Sequence, residues 1–206
     1  MPKETFYNLQ EEKRSMILKI AIEEFQKKGF DKASISNIVK DAGIAKGSFY
    51  QYFSDKKDLF KYIIDQTAVD KEKYLRGILD DIEQIDFFIM LRKLYVAGIQ
   101  YSNDHPKEAR IVNSLINGTN QLKEEMLGDV LEKGVDFYEG LLQLGIKKGT
   151  VNQEIDVRLV AIMINDLSTS LSEHYLKNEN NQDVDTFMRW IDQMLYVLKN
   201  GIGGVK

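Results

Sequence analysis

Residues 33–60 read ASISNIVKDAGIAKGSFYQYFSDKKDLF, and the spacing within this stretch decides the fold. Ser34 stands where a helix cap is wanted, with Asn37 three residues on and Ile35, Ile38, Val39 and Ala42 recurring at helical intervals. Gly43 follows, a residue that takes positive φ without steric penalty and so suits a tight turn. A very short helix is predicted over residues 46–52. Asp55 opens another, with Asp58 at its third position as the reciprocal cap. Two short helices across a glycine turn, preceded by a longer helix, have the spacing of a helix-turn-helix unit.

Working outward, the upstream helix starts at Asn8, read as its cap, with Glu11 at the third helical position. Met16, Ile17, Ile20, Ala21 and Phe25 keep helical spacing up to Gly29, which suits a helix end. Downstream, apolar periodicity predicts helices over residues 55–77, 86–102, 106–117, 120–148, 156–177 and 183–200. Pro106 suits a first helical turn, and Gly149 a helix end; Gly128, Gly134, Gly140 and Gly145 weaken the long helix between them. The pattern makes nine helices without a strand or repeat, an all-α fold. The expected division is a head over residues 1–54 and a helical body over residues 55–206, connected by the helix at 55–77.

Composition narrows the chemistry. The 206 residues are 43% hydrophobic and 29% charged, the balance of an ordinary globular chain. There is no cysteine, and His105 and His174 are the two histidines. That excludes a disulfide framework, thiolate zinc and iron–sulfur sites, and a cysteine nucleophile. No metal, cofactor or catalytic residue set is expected. The strongest apolar run, residues 159–164, falls far short of the roughly 18–20 residues of a membrane span. The opening MPKETFYNLQEEK lacks the apolar core of a signal peptide, so a cytoplasmic location is expected. The net charge is −4, yet residues 1–60 carry 11 Lys and Arg against 9 Asp and Glu, whereas residues 61–206 carry 17 against 23. A mildly basic head on an acidic body fits nucleic-acid contact confined to one end.

At about 100° per residue, Phe49 and Phe53 share one face of the 46–52 helix and should pack on Phe25, Ile38 and Ala42. Gly47 and Gln51 point the other way, with Ser48 and Tyr50 on the shoulders and Ala45 and Lys46 at the N-terminal rim. Glycine admits close approach of a duplex, glutamine can pair adenine in the major groove, and lysine and tyrosine can reach phosphates. On this reading Gly47 and Gln51 face base edges, while Lys46, Tyr50, Tyr52 and Lys56, with the Ser34 cap, hold phosphates. The plainer reading makes Lys46, Lys56 and Lys57 solvated charge and the two tyrosines core or surface. Residues 43–48, GIAKGS, lack the spacing and the preceding strand of a phosphate loop.

Residues 33–60 closely resemble the helix-turn-helix signature of the TetR family of bacterial transcriptional regulators. Gly29, Ile38, Ala42-Gly43, Lys46-Gly47, Tyr50, Phe53, Lys56 and Leu59-Phe60 match in register, and ILKIAIEEFQKKGFDKAS upstream is similar to that family's opening. The remainder resembles it in helical layout, including His105-Pro106-Lys107-Glu108-Ala109-Arg110. Two positions depart: Ala45 replaces the usual serine, removing a side-chain cap, and Lys57 replaces a usual acid. The resemblance implies a homodimeric, ligand-responsive repressor. It would bind an inverted-repeat operator in double-stranded DNA and release it when a small molecule enters the body. The helix at 55–77 would connect body and head.

Within the body, Phe87, Phe88, Met90, Leu91, Tyr95, Ile116, Phe137, Tyr138, Met163 and Leu167 are expected to line a mostly apolar pocket. Asn113, Asn117, Asn120 and Asn165 would supply orienting hydrogen bonds, and His174 reads as a ligand contact or a plain helix-end histidine. Phe187, Trp190, Ile191, Met194, Leu195 and Leu198 repeat at helical spacing, as core or dimer seam; a dimer interface of four helices, two from each chain, is expected there. The alternatives are a helical small-molecule carrier or enzyme without a DNA role, or a module that only dimerises.

Overall fold

The computed structural model describes residues 1–79, 86–116, 118–177 and 184–201. Among them ten α-helices and no strand occur: α1 (Glu4–Tyr7), α2 (Glu11–Lys32), α3 (Ile35–Asp41), α4 (Lys46–Tyr52), α5 (Lys56–Leu79), α6 (Phe87–Asp104), α7 (Pro106–Ile116), α8 (Asn120–Lys147), α9 (Val157–Lys177) and α10 (Val184–Asn200). The helices read from the sequence are all present, and α1 is the addition. Asn8 therefore ends α1 rather than opening α2, and Gln10 takes the N-cap position of α2. Gly29, at φ 69° and ψ 170°, breaks the regular part of α2, and Gly43, at φ 61°, makes the turn after α3. Both conformations lie in the left-handed half of the map, where a Cβ is penalised. Asp55 Oδ1 accepts the Asp58 N–H at 2.8 Å, while Asp58 Oδ2 accepts the Ser54 N–H at 3.0 Å, close to the reciprocal cap expected.

The described chain packs as two units, Met1–Asp70 with His105–Leu127, and Lys71–Asp104 with Gly128–Lys206. This division crosses the boundary expected at residue 54, because α7 packs against α2. Lys107 pairs with Glu23 at 2.6 Å, and its ammonium holds that carboxyl below the usual range. Lys57, the departure noted above, pairs with Glu125, whose carboxyl is lowered in the same way.

The first unit is built on phenylalanine. Phe6, Phe25, Phe49, Phe53 and Phe60 are all buried, with ring centroids 4.8 Å apart for Phe6–Phe53 and 4.7 Å for Phe25–Phe60. Each such side chain contributes about 1.5–3 kcal/mol by leaving water. That burial holds α3 and α4, of seven residues each, which are far too short to persist alone. Lys56 closes this unit. Its ammonium donates to the carbonyls of Phe30, Asp31 and Ala33 at 2.6, 3.0 and 3.0 Å and lies 4.7 Å from the Phe30 ring centre. All three donors are committed, so Lys56 caps the end of α2 in this structure rather than presenting its charge to a phosphate.

In the second unit, Phe87, Leu91, Leu94, Leu142, Ala161, Ile164, Ile191 and Leu195 form the core. The helix expected at the dimer seam contributes to this core. Phe187, Ile191, Met194 and Leu195 are buried in the chain's own core, with Trp190 and Leu198 packed against it, because α10 lies on α6. At the exposed margin of that pairing, Arg92 donates two hydrogen bonds to Asp192, at 2.6 and 3.2 Å. Apolar side chains facing outward include Leu159, Ile162, Met163 and Leu167 on α9 and Tyr196 and Val197 on α10, besides Tyr74 on α5, Ile89 on α6 and Val184 at the start of α10.

Replacing Lys56 by Met should lower stability by about 1–3 kcal/mol, since the half-buried Phe30 and Ala33 carbonyls and the exposed Asp31 carbonyl lose a charged donor. A urea midpoint followed by circular dichroism measures it; an unchanged midpoint would return Lys56 to the surface-charge reading.

Candidate nucleic-acid interface

Helix α4 is amphipathic over only two turns, so its two faces have separate tasks. Phe49, Tyr52 and Phe53 recur at the i, i+3, i+4 positions that share one helix side, and all three are buried. Ala45, Lys46, Gly47, Tyr50 and Gln51 are exposed on the other side, with Ser48 half-buried. Tyr50 remains 43% exposed although its ring meets Phe49 edge-on at 5.3 Å. Ala45 adopts an extended conformation at the N-cap and supplies no side-chain hydrogen bond, as its methyl group dictates. Lysine, glycine, tyrosine and glutamine therefore lie together on one open ridge.

Two residues expected to hold phosphates lie off this ridge. Tyr52 is only 7% exposed, its ring 6.0 Å from that of Phe6, so it belongs to the core. Its spacing from Phe49 carried that information. Ser34 occupies the N-cap of α3 without a side-chain cap; Glu24 substitutes from α2, its Oε1 accepting the Ser34 N–H at 3.1 Å and an Asn37 Nδ2 hydrogen at 3.0 Å. Lys56 is committed to α2 and Ser34 lies half-buried at the start of α3, so residues 45–48, 50 and 51 are the expected contacts that share the outer side of α4.

Gly47 is informative by what it does not do. Its φ is not in the left-handed region, and a Cβ built on it would meet nothing within 4 Å. Neither backbone conformation nor internal packing requires glycine there, in contrast to Gly43. The open space above Gly47 lies on the outward ridge, where a docked backbone would use it.

Of the residues expected to line a pocket, Phe87, Phe88, Met90, Leu91, Tyr95, Phe137 and Tyr138 come together in the second unit, and most of the others lie apart from them. Phe87, Met90 and Leu91 are buried in the core of the second unit, and Phe88 and Phe137 pack against it half-buried. Tyr95 and Tyr138 meet at Ser168: Tyr95 Oη shares a hydrogen bond with Ser168 Oγ, Tyr138 Oη donates to it at 3.5 Å, and Ser168 donates to the Ile164 carbonyl at 2.5 Å. Burial raises both phenol pKa values, keeping the hydroxyls neutral. Asn165 lies against Gly134, where a Cβ would come within 2.7 Å of its Oδ1. Met163 and Leu167 are exposed, as is His174, because the inward side of α9 is that of Ala161, Ile164 and Ser168. Asn113 and Ile116 belong to the first unit. Asn117 and the side chain of Asn120 lie outside the described residues.

The sequence pattern described as "Bacterial regulatory proteins, tetR family" matches residues 17–63, and that of "Tetracyclin repressor-like, C-terminal domain" matches residues 85–203. The uncharacterized HTH-type transcriptional regulator YvdT of Bacillus subtilis is 28% identical over 98% of this chain and 99% of its own length. A TetR family transcriptional regulator from Chloroflexus aurantiacus superposes with a TM-score of 0.64 at 30% identity, covering 98% of both chains. The transcriptional regulator FadR of Bacillus subtilis, crystallised with stearoyl-CoA, superposes with a TM-score of 0.72 at 22% identity, covering 92% of this chain and 99% of that one.

Gly47→Ala should leave the stability read from urea unfolding unchanged or raise it by up to about 1 kcal/mol, since alanine is the better helix former. The same substitution should weaken DNA binding by roughly tenfold, about 1.4 kcal/mol, as read by fluorescence anisotropy. Equal or tighter binding would show that no backbone approaches this position.

Proposed function

This chain belongs to the tetR family of bacterial regulatory proteins, and from that premise we propose that it is a homodimeric repressor whose α4 ridge reads an inverted-repeat operator and is released by a small apolar effector. The observation that carries the reading is the segregation on α4, with Phe49, Tyr52 and Phe53 buried and Lys46, Gly47, Tyr50 and Gln51 exposed. Gln51 faces a base edge through its amide, and Gly47 permits close approach. Lys46 and the Tyr50 hydroxyl hold phosphates on either side, fixing register without reading sequence. No helix among the described residues is long and apolar enough to cross a membrane, in keeping with a regulator that works on DNA in the cytoplasm.

Dimerisation is assigned to the outward stripe of Leu159, Ile162, Met163 and Leu167 on α9 with Tyr196 and Val197 on α10. Leu159 is 53% and Met163 45% exposed, an unfavourable state for a contiguous apolar stripe unless a partner covers it. A second copy of the same stripe satisfies two-fold symmetry.

The effector is assigned to the second unit, where aromatic side chains surround the Tyr95–Ser168–Tyr138 hydroxyls. Two neutral phenols in an apolar setting favour an uncharged or weakly polar group joined to a hydrocarbon portion. The stearoyl-CoA held by the Bacillus subtilis regulator supports an apolar chain as that portion. Such a ligand displaces DNA only to the extent that it binds the DNA-free shape more tightly.

Anisotropy with a matched and a scrambled operator at several salt concentrations tests the reading face. Gln51→Ala should cost about 1–3 kcal/mol on the matched site and relax preference at one base pair per half-site. Lys46→Ala should weaken both duplexes alike, with the salt slope shallower by about 1. If folded dimers of both variants bind as the parent does, the ridge is misassigned. Met163→Glu should turn the dimer into a folded monomer in sedimentation, whereas Trp190→Ala should chiefly destabilise the fold; a dimeric Met163→Glu chain rejects the proposed seam.

A further inference from the structure

The last turn of α4 ends in carbonyls for which the helix has no amide donors. Those of Tyr50, Gln51 and Tyr52 are each met from the N-terminal segment. Lys3 Nζ donates to the Tyr50 carbonyl at 2.8 Å, Thr5 Oγ1 to that of Gln51, and the Lys3 N–H to that of Tyr52 at 2.8 Å. The segment that supplies these donors is itself fixed. Phe6 is completely buried, 4.8 Å from the Phe53 ring and 5.8 Å from that of Tyr62. Arg14 of α2 donates to the carbonyls of Tyr7 and Leu9 at 2.5 and 2.9 Å, tying down the end of α1.

We propose that residues 3–6 form a clamp on the C-terminal turn of α4, and that Lys3 and Thr5 are positioning residues for DNA reading, acting through Tyr50 and Gln51. The inference rests on the reading of α4 given above. A seven-residue helix buried on one side is held against tilting by its core, but its last turn frays unless its carbonyls find donors. Tyr50 and Gln51 project from that turn, and their backbone oxygens are the ones clamped. The Lys3 ammonium also lies at the negative end of the helix dipole. Its charge is thus directed at the helix terminus, which distinguishes it from a lysine that tracks phosphates.

The test compares Lys3→Met, Thr5→Val and the double variant with Lys3→Arg, which keeps a donor. The duplex is one enriched by the wild-type chain from a random-sequence pool, alongside its scrambled counterpart. The double variant, folded by circular dichroism, should bind the enriched duplex roughly tenfold or more weakly, about 1.4 kcal/mol, with scrambled binding and salt slope unchanged. Lys3→Arg should bind as the parent does. Without DNA, the amides of residues 51–53 should exchange faster in the double variant; if that variant fails to fold, Thr5→Val gives the same readouts. A salt slope shallower by about 1 in Lys3→Met would make Lys3 a phosphate ligand and overturn the assignment. Unchanged affinity and exchange in the folded variants would remove the clamp while leaving α4 as the reader. A wild-type chain that enriches no sequence defeats the reading of α4 and this inference with it.

Discussion

The structure of the first unit depends on how helix ends are satisfied. Helices of seven residues leave most of their amides or carbonyls without an internal partner, so α3 and α4 exist only where other elements supply both an apolar bed and the missing hydrogen bonds. The bed is the cluster of phenylalanines around Phe25, Phe49, Phe53 and Phe60. The hydrogen bonds come from long polar side chains of neighbouring helices. Glu24 of α2 meets the start of α3, Lys56 of α5 meets the end of α2, and Arg14 of α2 meets the end of α1. Several helix ends are thereby met by a residue of another helix, which ties the short elements of this unit together.

That arrangement frees the outer side of α4 from structural duty. Gly43 must be glycine because the turn needs positive φ, but nothing internal asks for glycine at position 47. A ridge that contributes little to stability is open to selection for what it touches. The second unit shows the complementary case: Tyr95, Tyr138 and Ser168 form a polar island among aromatic and aliphatic side chains, where every hydroxyl is engaged. Buried hydroxyls of this kind are stabilised only in a matching set of partners.

Helix positions were legible because they rest on local signals: apolar periodicity, Gly29, Gly43 and Gly149, and the Asp55–Asp58 cap. The buried side of α4 was half legible. Phe49 and Phe53 were assigned inward, while Tyr52, at equally good spacing, was drawn outward by its hydroxyl. The carbonyls that Lys56 caps lie 23–26 residues away, and no periodicity encodes a lysine folding back onto them. The clamp by Lys3 and Thr5 was unreadable for the same reason, with sequence separations of 47 and 46. In α10, amphipathic spacing located an apolar stripe but not what it faces; the burial of Ile191 turned it towards α6, with the Arg92–Asp192 pair at the exposed margin. Met163 and Leu167 were placed inward by hydrophobicity alone, whereas the period set by Ala161, Ile164 and Ser168 turns them outward.

The central claim is that the α4 ridge, repeated in two copies of the chain, reads sequence in double-stranded DNA. The most direct measurement is selection of binding sites from a random duplex pool by the purified full chain, followed by sequencing. The account predicts an inverted repeat whose half-site centres lie one helical turn or a multiple apart, about 34–36 Å per turn. Enrichment of an unsymmetrical motif, or no enrichment over the starting pool, would contradict it.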